Sequence, residues 1–146
     1  MMLPNITPNE FRGKKKGTNE WVYGYLAAYD LICPGYPQDT TNATGEYYGE
    51  TPYVGFIEVE PDSVGQYIGD RDEMQNHVFV GDLLRYAYDD EETYYYLVVR
   101  TATGFGYKKD GIVREIGDNE TGIEPMYLQV MGNIYDDPSL AYYAEA

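Results

Sequence analysis

The chain has 146 residues, enough for one domain or two very small ones, and a formal charge of −15 from 10 basic and 25 acidic side chains. A composition of 43% apolar and 16% aromatic residues argues against intrinsic disorder, and no run of about 18 apolar residues could form a membrane helix. Residues 1–10 lack the pattern of a secretory signal and the single cysteine, Cys33, excludes a disulfide framework, so we expect a cytoplasmic protein.

A basic arm over residues 1–20 is the first predicted element. It carries four basic and two acidic side chains, a net charge of +2, whereas residues 21–146 carry six basic and 23 acidic side chains, a net charge of −17. The run Lys14-Lys15-Lys16 favours either a solvated turn or an arm that contacts an acidic surface. A body this acidic repels nucleic-acid phosphates, so we expect no direct binding to nucleic acid.

Strand-like segments rich in aromatic and β-branched residues make up most of the remaining chain. They are 21–26 running on toward Ile32, 53–59, 64–68, 78–80, 83–88, 93–101, 103–107, 112–116 and 127–134. No long stretch keeps the apolar period of about 3.6 residues that is typical of an amphipathic helix. The sequence therefore predicts a mainly β, β-rich α+β protein without large helices.

Polar segments between these strands predict the turns. They are 33–37, a loop or weak hairpin at 38–52, a turn at 70–76, an acidic hairpin tip at 89–92, a tight reversal at 108–111 and a loop at 117–122. Asp110-Gly111 is a dipeptide that favours a two-residue hairpin turn. Asp137-Pro138 has the pattern of an N-cap followed by a first-turn proline, which predicts a short C-terminal helix through Ala144.

Four sequence blocks span residues 11–140 in a fixed order. They are FRGK (11–14) with WVYGYL (21–26), VEPDSVGQYIG (59–69), VFVGDLLR (78–85) and MGNIYDDPSL (131–140). In order and spacing they resemble the YopX family of phage and prophage proteins, and the second and fourth blocks are the most specific.

The chain departs from the family pattern at three places. Gln75 stands where the family usually has a turn glycine, which predicts a reshaped turn. Val80-Gly81-Asp82 stands where the family has Glu-Gly-Asp, which removes a carboxylate. An insertion over residues 34–52 lies outside the shared pattern.

The resemblance implies a single YopX-like domain over residues 21–146, or two small β subdomains over about 21–60 and 61–146. It implies an SH3-like barrel in the C-terminal part, an N-terminal β subdomain and assembly into homo-oligomers in a bacterial cytoplasm. It implies no biochemical activity, because the family has none assigned, and a fold alone would not supply one.

Seven residues are candidates for binding. They are Trp21, Tyr23, Gln66, Tyr67, Asp82, Tyr95 and Asn133. The glycines around Gln66 and Tyr67 are typical of either a ligand-facing loop or a bent strand at a barrel corner. Asp82 and Asn133 either bind a ligand or accept hydrogen bonds from nearby backbone groups in a turn.

Tyrosine is the most informative residue type, with 18 copies. In the run Tyr94-Tyr95-Tyr96 neighbouring rings point to opposite faces of a strand, so at least one ring points outward. Tyrosine suits interfaces because it combines a large apolar area with a polar tip. The rings either fill both sides of a thin β fold or form a surface for a partner.

No catalytic or metal-binding pattern is recognisable. The sequence Asp70-Arg71-Asp72-Glu73 has the wrong ligand order for a calcium loop and predicts a solvated loop instead. His77 is the only histidine, and no serine or cysteine partner is evident for it. We therefore expect no enzyme, no metal and no cofactor.

Three function classes remain. The first is a non-enzymatic binding or assembly module that engages a protein partner or further copies of itself. The second is an acidic DNA mimic or counter-defence protein that blocks a basic host protein, which salt-dependent binding would reveal. The third is a small-molecule binder of nucleotide type, built from tyrosine rings and glycine loops.

Overall fold

Short antiparallel strands form most of the computed structural model, which describes residues 10–34, 56–87, 93–116 and 124–145. The chain forms two units, residues 1–66 and 67–146. The mainly β fold predicted from the sequence is confirmed, and its α-helix α1 (Tyr142–Glu145) has only four residues. The predicted loop or hairpin at 38–52, the acidic tip at 89–92 and the loop at 117–122 lie outside the described residues. No helix in the described ranges is long and apolar enough to span a bilayer.

The first unit is an antiparallel sheet in the order β4-β3-β2-β1-β5. Its strands are β1 (Glu10–Lys14), β2 (Trp21–Ala28), β3 (Leu31–Cys33), β4 (Ile57–Glu58) and the first two residues of β5 (Gly65–Arg71). Val22, Ile32 and Val59 form its buried core. The core is small, so the unit depends on close packing of few side chains.

A hairpin replaces the single strand predicted to run from residue 21 toward Ile32. The chain turns at Tyr29 and Asp30, and Ile32 returns to pair with Leu26. Aspartate is a good turn former, and the reversal lets Ile32 join Val22 in the core. The extended prediction was therefore wrong at this turn.

The second unit contains a five-stranded antiparallel sheet in the order β10-β9-β8-β7-β11. Its strands are β7 (Asp82–Ala87), β8 (Thr93–Thr101), β9 (Gly104–Lys109), β10 (Ile112–Glu115) and β11 (Gln129–Asn133). Within this unit β6 (His77–Phe79) pairs with the last residues of β5. The predicted pairings of 83–88 with 93–101 and of 103–107 with 112–116 are confirmed. The SH3-like barrel stays a prediction.

Both faces of this sheet carry apolar side chains, because neighbouring residues of a strand point to opposite faces. On one face a buried cluster is formed by Val78, Leu84, Val98, Tyr107 and Leu128. On the other face Leu83 and Leu97 pack against Ala144 of α1. The C-terminal helix is thus part of the second core.

Two local motifs of the second unit, the turn at Asp110-Gly111 and the cap at Asp137, have the structure that the sequence predicts. Asp110 and Gly111 have φ values of 57° and 75°, which is the left-handed pair that a type I′ hairpin turn requires. Asp137 caps the C-terminal helical segment by accepting a hydrogen bond from the Ser139 N–H at 3.1 Å. The first turn, Pro138–Ala141, is a 3₁₀ turn, and α1 follows it.

Candidate functional site

The seven sequence-predicted binding residues do not form one cluster. Trp21, Tyr23 and Gln66 lie in the first unit, and Tyr67, Asp82, Tyr95 and Asn133 lie in the second. Trp21 and Tyr23 share one face of the sheet, whereas Gln66 pairs with Phe11 on the opposite face.

Trp21 contacts two cations that the sequence assigned to the basic arm. The Arg12 guanidinium is 4.7 Å and the Lys14 ammonium 4.9 Å from a Trp21 ring centroid. Both basic residues belong to β1 and are only 8% and 6% exposed. Residues 10–14 are therefore part of the sheet rather than an arm, while Lys15 and Lys16 form the solvated turn. Cations held this close to an indole ring stabilise the packing on this face of the sheet.

Asp82 and Asn133 are cross-strand neighbours in β7 and β11. The side chains of both accept hydrogen bonds from backbone N–H groups nearby in the chain. Asp82 Oδ2 accepts a hydrogen bond from the Phe79 N–H at 2.8 Å. Asn133 Oδ1 accepts from the N–H groups of Tyr135 and Asp136 at 3.0 and 2.8 Å. The turn roles that the sequence allowed for both residues are confirmed.

Tyr67 and Tyr95 pack within the second unit. Tyr67 is buried, and its ring meets the His77 ring edge-on at 5.2 Å. The ring centroids of Tyr95 and Tyr143 are 4.5 Å apart, and Tyr95 lies on the face of the sheet that α1 covers. Both rings serve packing in this arrangement.

A cleft of about 280 Å³ opens on the opposite face of the same sheet. It is lined by Tyr94, Tyr96, Tyr107, Lys109, Asp110, Ile112 and Arg114. These residues come from β8, β9, β10 and the type I′ turn. We refer to this set of residues as the tyrosine cleft.

The rings of the tyrosine cleft are closely packed and remain neutral. The centroids of Tyr96 and Tyr107 are 5.3 Å apart. Burial, and then the negative charges of Glu124 and Asp70, raise the pKa of Tyr107 far above its usual range. Burial also raises the pKa of Tyr96, although Lys109 opposes this shift. Both phenols therefore keep their protons at physiological pH and remain hydrogen-bond donors.

Tyr107 is 2% exposed, and its hydroxyl has no hydrogen-bond partner within the described residues. A buried donor without an acceptor is costly, and such groups are rare in folded proteins.

Lys109 and Asp110 form the charged side of the cleft. The Lys109 ammonium is 2.8 Å from Asp110 Oδ2 and 5.3 Å from the Tyr94 ring centroid. Arg114 is the cross-strand neighbour of Tyr107. The cleft thus combines aromatic faces with two cations and one carboxylate.

His77 and Asp72, two titratable residues singled out in the sequence, lie within the described ranges. No group of three or more His, Cys, Asp or Glu side chains could hold a metal ion there. Burial, followed by the positive charge of Arg71, lowers the pKa of His77. Asp72 is not in a solvated loop, as predicted, but fully buried with hydrogen bonds to backbone N–H groups.

The tyrosine run of β8 indicated a binding surface in the sequence, but the predicted residue, Tyr95, is the neighbour of the two that line the cleft. The alternation in Tyr94-Tyr95-Tyr96 predicts two rings on one face and one on the other, and we selected the single ring, Tyr95. The pair on the other face joins Tyr107, whose neighbours Lys109 and Asp110 lie beside the predicted hairpin turn. Only the pairing of β8 with β9 brings these two segments together.

Comparison with known proteins places the chain by its family. A model of the family described as YopX protein matches residues 10–141. A search of curated proteins finds no match.

Proposed function

The chain belongs to the YopX family, and from this starting point we propose that it is a non-enzymatic binding module whose ligand site is the tyrosine cleft. The ligand proposed is a small molecule of nucleotide type, with a planar ring that stacks on the tyrosines. The observation that carries the proposal is the group of three rings, Tyr94, Tyr96 and Tyr107, around one cleft.

The shape and chemistry of the cleft support this class of ligand. Small-molecule sites are concave and mostly apolar, with a few polar groups that orient the ligand, and they begin at volumes of about 300 Å³. The cleft is close to that size, with Ile112 as a further apolar wall. Tyrosine faces stack on nucleobases of any sequence, since every base has a π-face.

The lining residues favour binding over catalysis. The raised pKa values of Tyr96 and Tyr107 make both phenols poor bases. The Lys109 ammonium and the Asp110 carboxylate, 2.8 Å apart, supply polar groups that can orient a ligand. A site that offers rings, donors and fixed charges is suited to holding a ligand.

Thermal-shift measurements with nucleosides and nucleotides test the proposal. Bound ligand stabilises the folded chain, so we expect the Tm of the wild type to rise with ligand concentration. Tyr94→Ala removes one stacking surface and should abolish the rise. Tyr142→Ala, which removes a tyrosine that is 69% exposed in α1, is the control and should leave it unchanged. A Tm that no compound of the series raises would contradict the proposal.

Assembly through β10 is a second candidate, favoured by one observation. β10 is the last strand in its sheet, and Ile112 and Val113 are 54% and 47% exposed. In a hairpin with a two-residue turn, the backbone N–H and C=O of Val113 and Glu115 point away from β9. A second copy of the chain could pair its own β10 along this edge.

Light scattering tests the assembly. We expect a species larger than the 16.7 kDa monomer in the wild type. Val113→Lys adds a charge to the edge and should return the chain to a monomer. Lys108→Gln, on the neighbouring strand, is the control. A wild-type protein that stays monomeric at high concentration would refute the assembly.

A further inference from the structure

We infer that the tyrosine cleft selects nucleotides over nucleosides by binding the ligand's phosphate through Lys109 and Arg114, with Asp110 as the counterion that the phosphate displaces. The inference rests on the proposed function of the cleft and specifies which group of the ligand is recognised. The phosphate binds without covalent change.

The charge of the cleft is opposite to the charge of the chain. Two of its lining side chains are cations and one is an anion, whereas the whole chain carries a formal charge of −15. A chain of this charge repels phosphate at long range, and the two cations of the cleft supply a local attraction for an anion.

The ion pair between Lys109 and Asp110 is weak enough for a phosphate to replace the carboxylate. Its two side chains are 32% and 59% exposed, and pairs this exposed hold their partners only weakly. A phosphate offers three strong acceptor oxygens and more negative charge than one carboxylate. It can therefore replace Asp110 at the Lys109 ammonium without a large cost.

The hairpin places both cations on the cleft side of the sheet. Lys109 lies two residues after Tyr107 on β9, and Arg114 lies two residues after Ile112 on β10, so strand alternation directs these side chains to the same face. The Lys109 ammonium is also 5.3 Å from the Tyr94 ring centroid. A base stacked on the tyrosine rings would thus have its phosphate within reach of Lys109.

Contacts on the opposite face hold this hairpin in place. The Gly111 N–H donates to the Ala144 carbonyl at 2.8 Å, and Lys108 forms an ion pair with Glu145. The turn is anchored to α1 before any ligand binds. A preorganised turn loses less conformational freedom on binding, which favours affinity.

Isothermal titration calorimetry tests the inference with nucleosides of the four common bases and their 5′-monophosphates. We expect the preferred monophosphate to bind at least about tenfold more tightly than its nucleoside, as charge-assisted hydrogen bonds to two cations would give. Lys109→Gln should reduce the ratio of monophosphate affinity to nucleoside affinity toward one. Raising the salt concentration from about 0.05 M to about 0.5 M should weaken binding of the monophosphate and not of the nucleoside, because salt screens charge pairs.

Two further variants make the test specific. Asp110→Asn removes the competing carboxylate but keeps a residue that tolerates the left-handed turn, so monophosphate binding should tighten about threefold. Lys16→Gln removes an exposed cation from the first unit and should leave both affinities unchanged.

The outcomes separate the inference from the proposed function. Equal affinities for nucleoside and monophosphate would overturn phosphate recognition and leave the cleft as a ring-binding site. Weaker monophosphate binding by Asp110→Asn would contradict the displacement of the Asp110 carboxylate by the phosphate. A short single-stranded oligonucleotide that binds more tightly than the monophosphate would overturn the assignment to a free nucleotide. No binding by any compound would reject the proposed function along with the inference.

Discussion

The Asp72 carboxylate accepts a hydrogen bond from the Val130 N–H at 2.9 Å, across 58 positions of the chain. Its other oxygen accepts from the N–H groups of Met74 and Asn76 at 2.9 and 2.7 Å. Asp72 is fully buried. One side chain thus closes the turn between β5 and β6 and ties it to β11.

Replacing Asp72 with alanine should lower the free energy of unfolding by about 2–4 kcal/mol, because three backbone donors lose their acceptor in a buried place. Urea denaturation followed by circular dichroism measures this change. Asp70→Ala is the matched control, since Asp70 is exposed and lies two residues away. An equal decrease in the free energy of unfolding in the two variants would contradict the role of Asp72.

The stability contributed by Asp72 should depend on pH. Burial alone would raise its pKa, but the hydrogen bonds from Val130, Asn76 and Met74 outweigh burial and lower the pKa below its usual range. A lowered pKa means that the contribution is complete above the unfolded-state value of about 3.9 and is lost as the pH falls through the folded-state value. The gap in unfolding free energy between the wild type and Asp72→Asn should therefore narrow with acidification. A gap that stays constant from neutral to strongly acidic pH would argue against this assignment.

Gln75→Gly should stabilise the protein by about 0.5–1 kcal/mol. Gln75 has a φ of 71°, a left-handed conformation that is unfavourable for residues with a Cβ atom. Gln75 thus adopts the conformation that a glycine favours, and the reshaping of this turn stays a prediction. Relief of this strain should exceed the extra chain entropy of glycine in the unfolded state. Gln75→Ala is the control and should change the Tm little, and a lower Tm for Gln75→Gly would refute the prediction.

Gly24→Ala should destabilise the first unit by more than about 3 kcal/mol. A Cβ atom at this position would lie 2.1 Å from the Cys33 carbonyl oxygen and 2.7 Å from the Pro34 Cα atom. Both are backbone atoms, so β2 and β3 would have to separate. Ala27→Ser, at an exposed position on the same strand, is the control for the unfolding measurement. Similar stabilities for the two variants would show that the strands can move apart at little cost.

Ala144→Leu should destabilise the second unit by about 1–3 kcal/mol, because the added methine and two methyl groups overpack a closed site. Ala144 is fully buried against Leu83 and Leu97, although it lies two residues from the end of the chain. Tyr142→Ala in the same helix removes an exposed ring and should change the unfolding free energy by less than about 0.5 kcal/mol. The reverse order of effects would mean that α1 does not pack as described.

Local patterns predicted the elements whose geometry depends on a few adjacent residues. Asp110-Gly111 predicted a tight reversal because both residues tolerate positive φ, and Asp137-Pro138 predicted a helix start because the pair supplies a cap and a fixed φ. The turn at Tyr29 and Asp30 was missed because the strands on either side of it have similar compositions.

The sequence by itself determined a mainly β chain, most of its strands and turns, and its family, because side-chain alternation, turn chemistry and block order act over short distances. Only the tertiary structure decided that Arg12 and Lys14 contact the Trp21 ring and that Asp72 is buried. It also decided that Tyr94 and Tyr96 meet Tyr107, Lys109 and Arg114 around one cleft. These relationships depend on strand register, which sets the face and the neighbour of each side chain, and register follows from the packing of distant segments.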